Sequence, residues 1–313
     1  MDLSQKCSND GMNSAERLKG IDVFVTTVAA GSFTAAGERL NLTSSAVGKA
    51  IARLEARLKK RLFDRTTRRL ALTDAGAAFH TICVRALEEL ESAERVLADD
   101  ASEPSGRLRV DVPATFGRMQ VMPLLLQFSE QHQAVQTHVS FTDRFVDVVD
   151  EGIDVAVRIG GPDSWPAHVG QQFLGHERLI FCASPAYIAR KGTPLAINEL
   201  DAHETVTYGR ADGTPSPWLI PKGSAPIERR TMDSRLVVGH GEALLEAVIA
   251  GHGVAQLATW LAAQALERGR LVQFLPACSV DGLPLRLVWP QRKQLLPKVD
   301  ALRMHLASNL RIR

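Results

Sequence analysis

The sequence has no run of about 18 apolar residues, which excludes a membrane-spanning helix of ordinary kind. From Met1 to Asp22 it is polar and mixed in charge, with no apolar stretch ahead of a small-residue cleavage site. A secretion signal is therefore not expected, and a cytoplasmic location is. Its four cysteines, Cys7, Cys83, Cys182 and Cys278, are far apart. No CxxC pair exists to hold zinc, and disulfides are not expected in a reducing compartment. Cys83 and Cys182 read as buried apolar residues; a redox-sensing thiol is the less favoured alternative, since it needs an activated thiolate. GxSxG, HExxH and GxGxxG are all missing. Neither a catalytic residue, a cofactor nor a metal site is expected.

What is present is an uneven charge distribution. Between Thr43 and Thr73 stand Lys49, Arg53, Arg57, Lys59, Lys60, Arg61, Arg65, Arg68 and Arg69 against only Glu55 and Asp64. That segment carries +7, and the rest of the chain must carry −5 to give the net +2. A short basic module on an acidic body fits a nucleic-acid binder, though charge alone fits a solvated helix face equally well.

Periodicity favours the binder. Residues 1–17 read as a tail, with Met12 a second candidate start. From Leu18, the residues Ile21, Phe24, Val25 and Val28 share one helical face, and Gly31 stops the helix. Ser32 caps a second helix over Phe33–Leu40; after the turn Asn41-Leu42, Thr43 caps a third that runs to about Leu58. Two short helices with a tight turn make a helix-turn-helix, whose second helix enters the major groove. Ser44, Ser45, Gly48, Lys49, Ala52 and Arg53 lie opposite the apolar stripe. Small residues there allow close approach, and Lys49 and Arg53 reach phosphates or guanine edges. Leu62, Phe63, Leu70 and Leu72 then flank a basic tip of Arg65, Thr66, Thr67, Arg68 and Arg69, the pattern of a two-stranded wing.

These words, in order and at this spacing, resemble the DNA-binding domain of the LysR-type transcriptional regulators. They are Ala30-Gly31-Ser32-Phe33-Thr34-Ala35-Ala36, the stretch from Ser45 to Glu55, Leu62-Phe63-Asp64-Arg65-Thr66-Thr67-Arg68 and Leu72-Thr73-Asp74-Ala75-Gly76. The wing words resemble the branch of regulators of the CrgA type. The resemblance implies DNA contacts from Ser32, Thr34, Thr43, Ser44, Ser45, Lys49, Arg53, Arg65, Thr66, Thr67 and Arg68. The chain departs from the family pattern at Ser44, Gly48 and Lys59, where Gln, Ser and Gly are frequent. The family's target sequence therefore does not transfer.

From Asp74 apolar residues recur at Phe79, Cys83, Ala86, Leu90, Ala93 and Leu97, a heptad seam. A dimer seam is favoured over a helix packed on its own domain, and the resemblance implies pairing through this helix. Residues 74–106 are thus read as a dimerising helix and hinge behind a DNA-binding domain at 18–73.

Beyond Arg107 strands and helices alternate, which predicts an α/β domain with a mainly parallel sheet over residues 107–313. Helices are expected over Met122–Gln131, Phe145–Asp150, Glu242–Ala250, Thr259–Arg268 and Val299–Leu310. Asp154-Val155-Ala156-Val157-Arg158-Ile159-Gly160 and Ala247-Val248-Ile249-Ala250-Gly251-His252-Gly253-Val254 resemble the same family's effector domain. The implied fold is the two-lobed type-2 periplasmic-binding-protein fold, with crossovers expected near Gly160–Gly161 and Leu257–Ala258. Ligands sit beyond the carboxyl ends of strands in such folds. That places a small-molecule effector near Thr115, Phe116, Arg118, Gly160, Thr207, Tyr208 and His240. A solute-binding protein without DNA affinity and an architectural DNA binder are the competing readings. The basic module disfavours the first, and a two-lobed domain of about 200 residues disfavours the second. The expectation is a regulator of promoter DNA, controlled by an effector of unread identity, that self-associates as a dimer or tetramer.

Overall fold

The computed structural model describes residues 14–66, 69–97, 103–162, 164–210, 212–222 and 225–312. The chain divides into two compact units, Met1–Asp99 and Asp100–Arg313.

The first unit contains α1 (Ser14–Ala30), α2 (Phe33–Leu40), α3 (Ser44–Leu58), the hairpin β1 (Phe63–Thr66) and β2 (Arg69–Leu72), and α4 (Asp74–Leu97). Local chemistry sets its boundaries. Ser32 Oγ accepts from Ala35 N and Thr43 Oγ1 from Ala46 N, each at 3.1 Å, so both helices start on a side-chain cap. Gly31, Asn41 and Lys59 end α1, α2 and α3 with φ of 72°, 53° and 51°. Lys59 thus holds a left-handed conformation that glycine adopts without a Cβ penalty. Gly37 lets the turn close, because a Cβ there would run into the Leu42 carbonyl. Phe24 centres the core, edge-on to Phe63 at 5.5 Å and beside Phe79 at the same distance.

That last contact corrects the heptad reading. Phe79 and Cys83 pack into the core of their own unit, with Cys83 only 2% exposed, because the first turns of α4 lie against α1. Among the described residues the large apolar side chains that α4 leaves exposed are Ile82 and Leu90, with Ala86 between them; the side chains of Ala93 and Leu97 lie outside the described residues.

The second unit runs β3 (Gly106–Val112), α5 (Ala114–Phe116), a π-helical turn Gly117–Val121, α6 (Met122–Gln131), β4 (Val135–Phe141), β5 (Val155–Ile159), β6 (Val169–Ala183), α7 (Pro185–Lys191), β7 (Val206–Tyr208), β8 (Trp218–Lys222), β9 (Ala225–Arg230), β10 (Leu236–Val238), α8 (Gly241–Ile249), β11 (Ala255–Ala258), α9 (Thr259–Glu267), β12 (Val272–Phe274), β13 (Val280–Pro290) and α10 (Pro297–Asn309). The main sheet has the order β11-β6-β13-β5-β3-β4, with β12 also on β6. It is mixed, not mainly parallel. β3 pairs β4 and β5 in parallel, whereas β13 and β6 run antiparallel to each other and to their other partners in this sheet.

The two long strands explain both the mixing and the lobes. The first half of β6 pairs Leu285–Pro290 of β13 beside β5, over the core of Leu108, Val110, Phe128, Val155 and Leu302. Its second half, from Leu179, pairs β11 and β12 beside the core of Val206, Leu244, Val248 and Leu257. The chain therefore crosses between lobes inside β6 near Gly175–Arg178 and returns inside β13 near Asp281–Leu285, where the register is irregular. The crossings do not fall at the expected Gly160–Gly161 and Leu257–Ala258. Gly160 instead turns the chain within the first lobe, at φ 82° with its N–H on the Pro284 carbonyl. Ala258 leads directly into α9. The helix expected at Phe145–Asp150 is absent as well. Asp147 Oδ1 accepts from Val149 N and Asp150 N, an Asx turn that competes with a helix.

Candidate DNA-reading face and interlobe site

In the first unit α3 buries Val47, Ile51 and Leu54 and turns Ser44, Ser45, Lys49 and Arg53 outward, all exposed. Gly48 is half-buried and offers no side chain between them. Arg53 Nε donates to the Lys49 carbonyl at a long 3.4 Å, so its guanidinium stays available. Thr34 is exposed on α2. Ser32 and Thr43 spend their hydroxyl oxygens as cap acceptors. The predicted wing exists as the four-residue ladder Phe63↔Leu72 to Thr66↔Arg69. Thr67 and Arg68 lie outside the described residues, as do the side chains of Arg65 and Thr66.

In the second unit the lobes meet where β3 ends. Asp143 Oδ1 accepts from Ala114 N at 2.9 Å and anchors the start of α5. Thr115 follows, 6% exposed, and its Oγ1 has no hydrogen-bond partner. Opposite it stands Gly241, the first residue of α8; a Cβ there would lie 3.0 Å from Thr115 Oγ1. Two more contacts join the lobes. Arg118 Nε donates to Glu242 Oε2 at 3.2 Å, with Nη2 on Oε1 as a second link. Tyr208 is half-buried, and burial, then the charge of Asp143, raises its hydroxyl pKa. The π-helical turn at Gly117–Val121 widens the helix beside this seam, a distortion frequent at functional sites.

Several expected residues are placed elsewhere. Phe116 is 1% exposed and edge-on to Trp260 at 5.0 Å, part of a wall and not a free face. Thr207 is 1% exposed and its hydroxyl is taken by Ser234, so it braces β7 instead of facing the seam. Gly160 packs against Leu283 and Phe145. His240 is exposed at the N-cap position of α8 and makes no side-chain cap bond. Sequence reasoning missed Asp143 and Glu242, because their neighbours are distant along the chain. It also missed Glu177, buried in the β6 crossing and bonded by Trp260 Nε1 at 2.8 Å. Burial raises the pKa of that carboxyl, against the lowering effect of Trp260 and the Leu283 N–H. The buried-thiol expectation matches: burial pushes Cys83 to about 11 and Cys182 to about 12, the opposite of an activated thiolate.

A basic helix-turn-helix with a wing, joined to a two-lobed α/β domain, defines the class of DNA-binding transcription regulators with an effector-binding domain. Comparison with known proteins agrees. Residues 18–77 match the bacterial regulatory helix-turn-helix model of the lysR family, and residues 101–311 match the LysR substrate binding domain. The chain belongs to the LysR family of transcriptional regulators. It is 33% identical over 295 residues to the regulator PtxR of Pseudomonas aeruginosa, covering 92% of this chain and 93% of that one. It is 30% identical to an HTH-type regulator of Haemophilus influenzae, covering 93% and 99%. Among solved structures it resembles CrgA, a LysR-type regulator of Neisseria meningitidis, with TM-score 0.58, 27% identity and coverage of 95% and 98%. The full-length virulence activator AphB of Vibrio cholerae shares the fold at TM-score 0.59 and 23% identity, over 93% and 98%. The named relatives are regulators, not enzymes. Among the described residues no helix is long and apolar enough to cross a membrane.

Proposed function

We propose that this regulator acts in the cytoplasm as a dimer, or a tetramer of paired dimers, on a two-fold promoter site. The carrying observation is the face of α3, where Ser44, Ser45, Lys49 and Arg53 project together from a helix seated on an apolar core. On this reading Lys49 and Arg53 reach base edges or phosphates. Ser32, Thr34 and Thr43 lie along the backbone, and Arg65, Thr66, Thr67 and Arg68 bring the wing to the flanking groove. Ile82, Ala86 and Leu90 supply the pairing face of α4. Two copies then present two α3 helices about one DNA turn apart.

The effector is a small molecule that enters the seam between Thr115, Tyr208 and Gly241 and satisfies the Thr115 hydroxyl. An unsatisfied buried hydroxyl costs about 1–3 kcal/mol, so a ligand that bonds it recovers part of that cost in the liganded state alone. Relative motion of the lobes at the β6 and β13 crossings then alters how the dimer sits on DNA.

The test is selection of sites from random DNA by the purified full chain, with affinity measured across a salt series. Tight two-fold sites are expected, with Arg53→Ala lowering affinity about tenfold and reducing the salt slope by about one. Affinity indifferent to sequence, or to Arg53, would reject the assignment of α3. For the seam, Thr115→Val is expected to keep the fold and DNA affinity while abolishing stabilisation by any metabolite that stabilises the parent chain in a thermal-shift screen. An unaltered response would move the effector site.

A further inference from the structure

The root of the wing is held by a carboxylate from α3. Glu55 Oε1 accepts from Leu62 N at 2.7 Å and from Phe63 N at 3.2 Å. Both donors belong to residues no more than 2% exposed, where an unbonded N–H is costly. They lie where the chain enters β1, and Phe63 itself seats its ring against Phe24 and Phe33. The chain leaving the wing is tied to the same entry segment, at Arg61 and Leu62. Thr73 N donates to the Leu62 carbonyl at 3.0 Å, and Thr73 Oγ1 donates to the Arg61 carbonyl at 2.8 Å. Thr73 Oγ1 also accepts from Gly76 N at 2.9 Å in the first turn of α4. Gly76 packs so closely that a Cβ would overlap the Leu62 carbonyl.

We infer that Glu55 is a positioning residue for DNA recognition, which with Thr73 and Gly76 locks the recognition helix, the wing root and the start of the linker helix into one rigid piece. The geometry is what such a role requires. A two-stranded ribbon of four residues a side is marginal by itself, so its direction comes from what grips its root. Glu55 grips it from the helix that reads DNA, and Thr73 grips it from the helix that carries the pairing face. Movement imposed on α4 therefore reaches α3 and the wing together. The charge of Glu55 is spent inward in the most basic stretch of the chain, where an outward carboxylate would repel phosphate.

The inference rests on the wing touching DNA as proposed above, so its test carries a control for that reading. Full-length parent, Glu55→Ala, Glu55→Gln and Arg65→Ala chains are compared on one site selected by the parent, by affinity over a salt series and hydroxyl-radical footprint. Glu55→Ala is expected to bind about tenfold more weakly, with a shallower salt slope and loss of the flanking protection, while the central protection remains. Glu55→Gln, whose amide oxygen can accept from the same two N–H groups, is expected to restore the flanking protection. A folded Glu55→Ala chain with the parent's footprint and slope overturns the inference. If Arg65→Ala also leaves the slope unchanged, the wing reading itself fails; if Arg65→Ala flattens it and Glu55→Ala does not, only the role of Glu55 fails. Should Glu55→Ala not fold, Thr73→Val, which removes the hydroxyl tie to Arg61, is read by the same footprint. Partial flanking loss then supports the inference, and full protection overturns it.

Discussion

The two units differ in what they bury. Among the described residues the DNA-binding unit has one buried polar residue, Thr27, which donates to the Val23 carbonyl within its own helix. The effector-binding unit has ten, among them the ion pairs Asp111–Arg158 at 2.6 Å and Asp154–Lys293 at 2.6 Å, and the carboxyl of Glu177. An apolar core held by aromatic contacts gives one rigid body with its chemistry outside. A polar interior specifies strand register and lobe position instead, and leaves groups whose bonding depends on how the lobes meet. Reading DNA needs the first arrangement; answering a small molecule needs the second.

The strongest way to break this contrast is to remove a buried charge. Arg158→Met leaves Asp111 buried without its cation and should destabilise the effector-binding unit by about 3–5 kcal/mol. Calorimetry should show that loss in one transition while the DNA-binding unit melts as before. A loss in both transitions would mean that the units are not energetically separate. Gly76→Ala is the matching attack on the other unit. Its new Cβ meets backbone, not a movable side chain, and should cost about 1–3 kcal/mol in the DNA-binding transition alone.

A pH series sharpens the comparison. Burial raises the Glu177 pKa, so the stability it contributes is fully present below the usual carboxylate range and is lost as pH rises through its raised value. The effector-binding unit should therefore melt several degrees higher in Glu177→Gln at neutral pH, with the difference vanishing in acid. Melting curves that keep the same separation at every pH would contradict a titrating Glu177. The smallest expected effect is a gain. Lys59→Gly relieves the left-handed strain at the end of α3 and should stabilise the DNA-binding unit by about 0.5–1 kcal/mol, checked by denaturant midpoint.

The same contrast governs what the sequence makes legible. The bounds of α2 and the start of α3 can be read to the residue because Ser32, Thr43 and Asn41 act on atoms three or four positions away. The outward face of α3 follows from helical period alone. In the effector-binding unit, local signals mislead or fall silent. Asp147 forms an Asx turn inside a stretch with helical spacing, and the first half of β6 carries no clean alternation. Thr115 is legible as a residue just past a strand, but Gly241 reaches it, and Asp143 and Glu242 reach Ala114 and Arg118 beside it, only through tertiary packing. The heptad of α4 shows the limit in the other unit. Phe79 and Cys83 of the repeat pack into the core of their own unit while Leu90 of the same repeat is exposed, as is Ile82 outside it, and spacing does not say where the division falls.

Native-state hydrogen exchange of the full chain tests the contrast most directly. The amides of Leu62, Phe63 and Thr73 should exchange only through global unfolding of their unit, while those of Gly175–Arg178 and Asp281–Leu285 should exchange through a smaller local opening. Wing-root amides that exchange as readily as those of the two crossings would contradict a rigid DNA-reading body coupled to a two-lobed sensor.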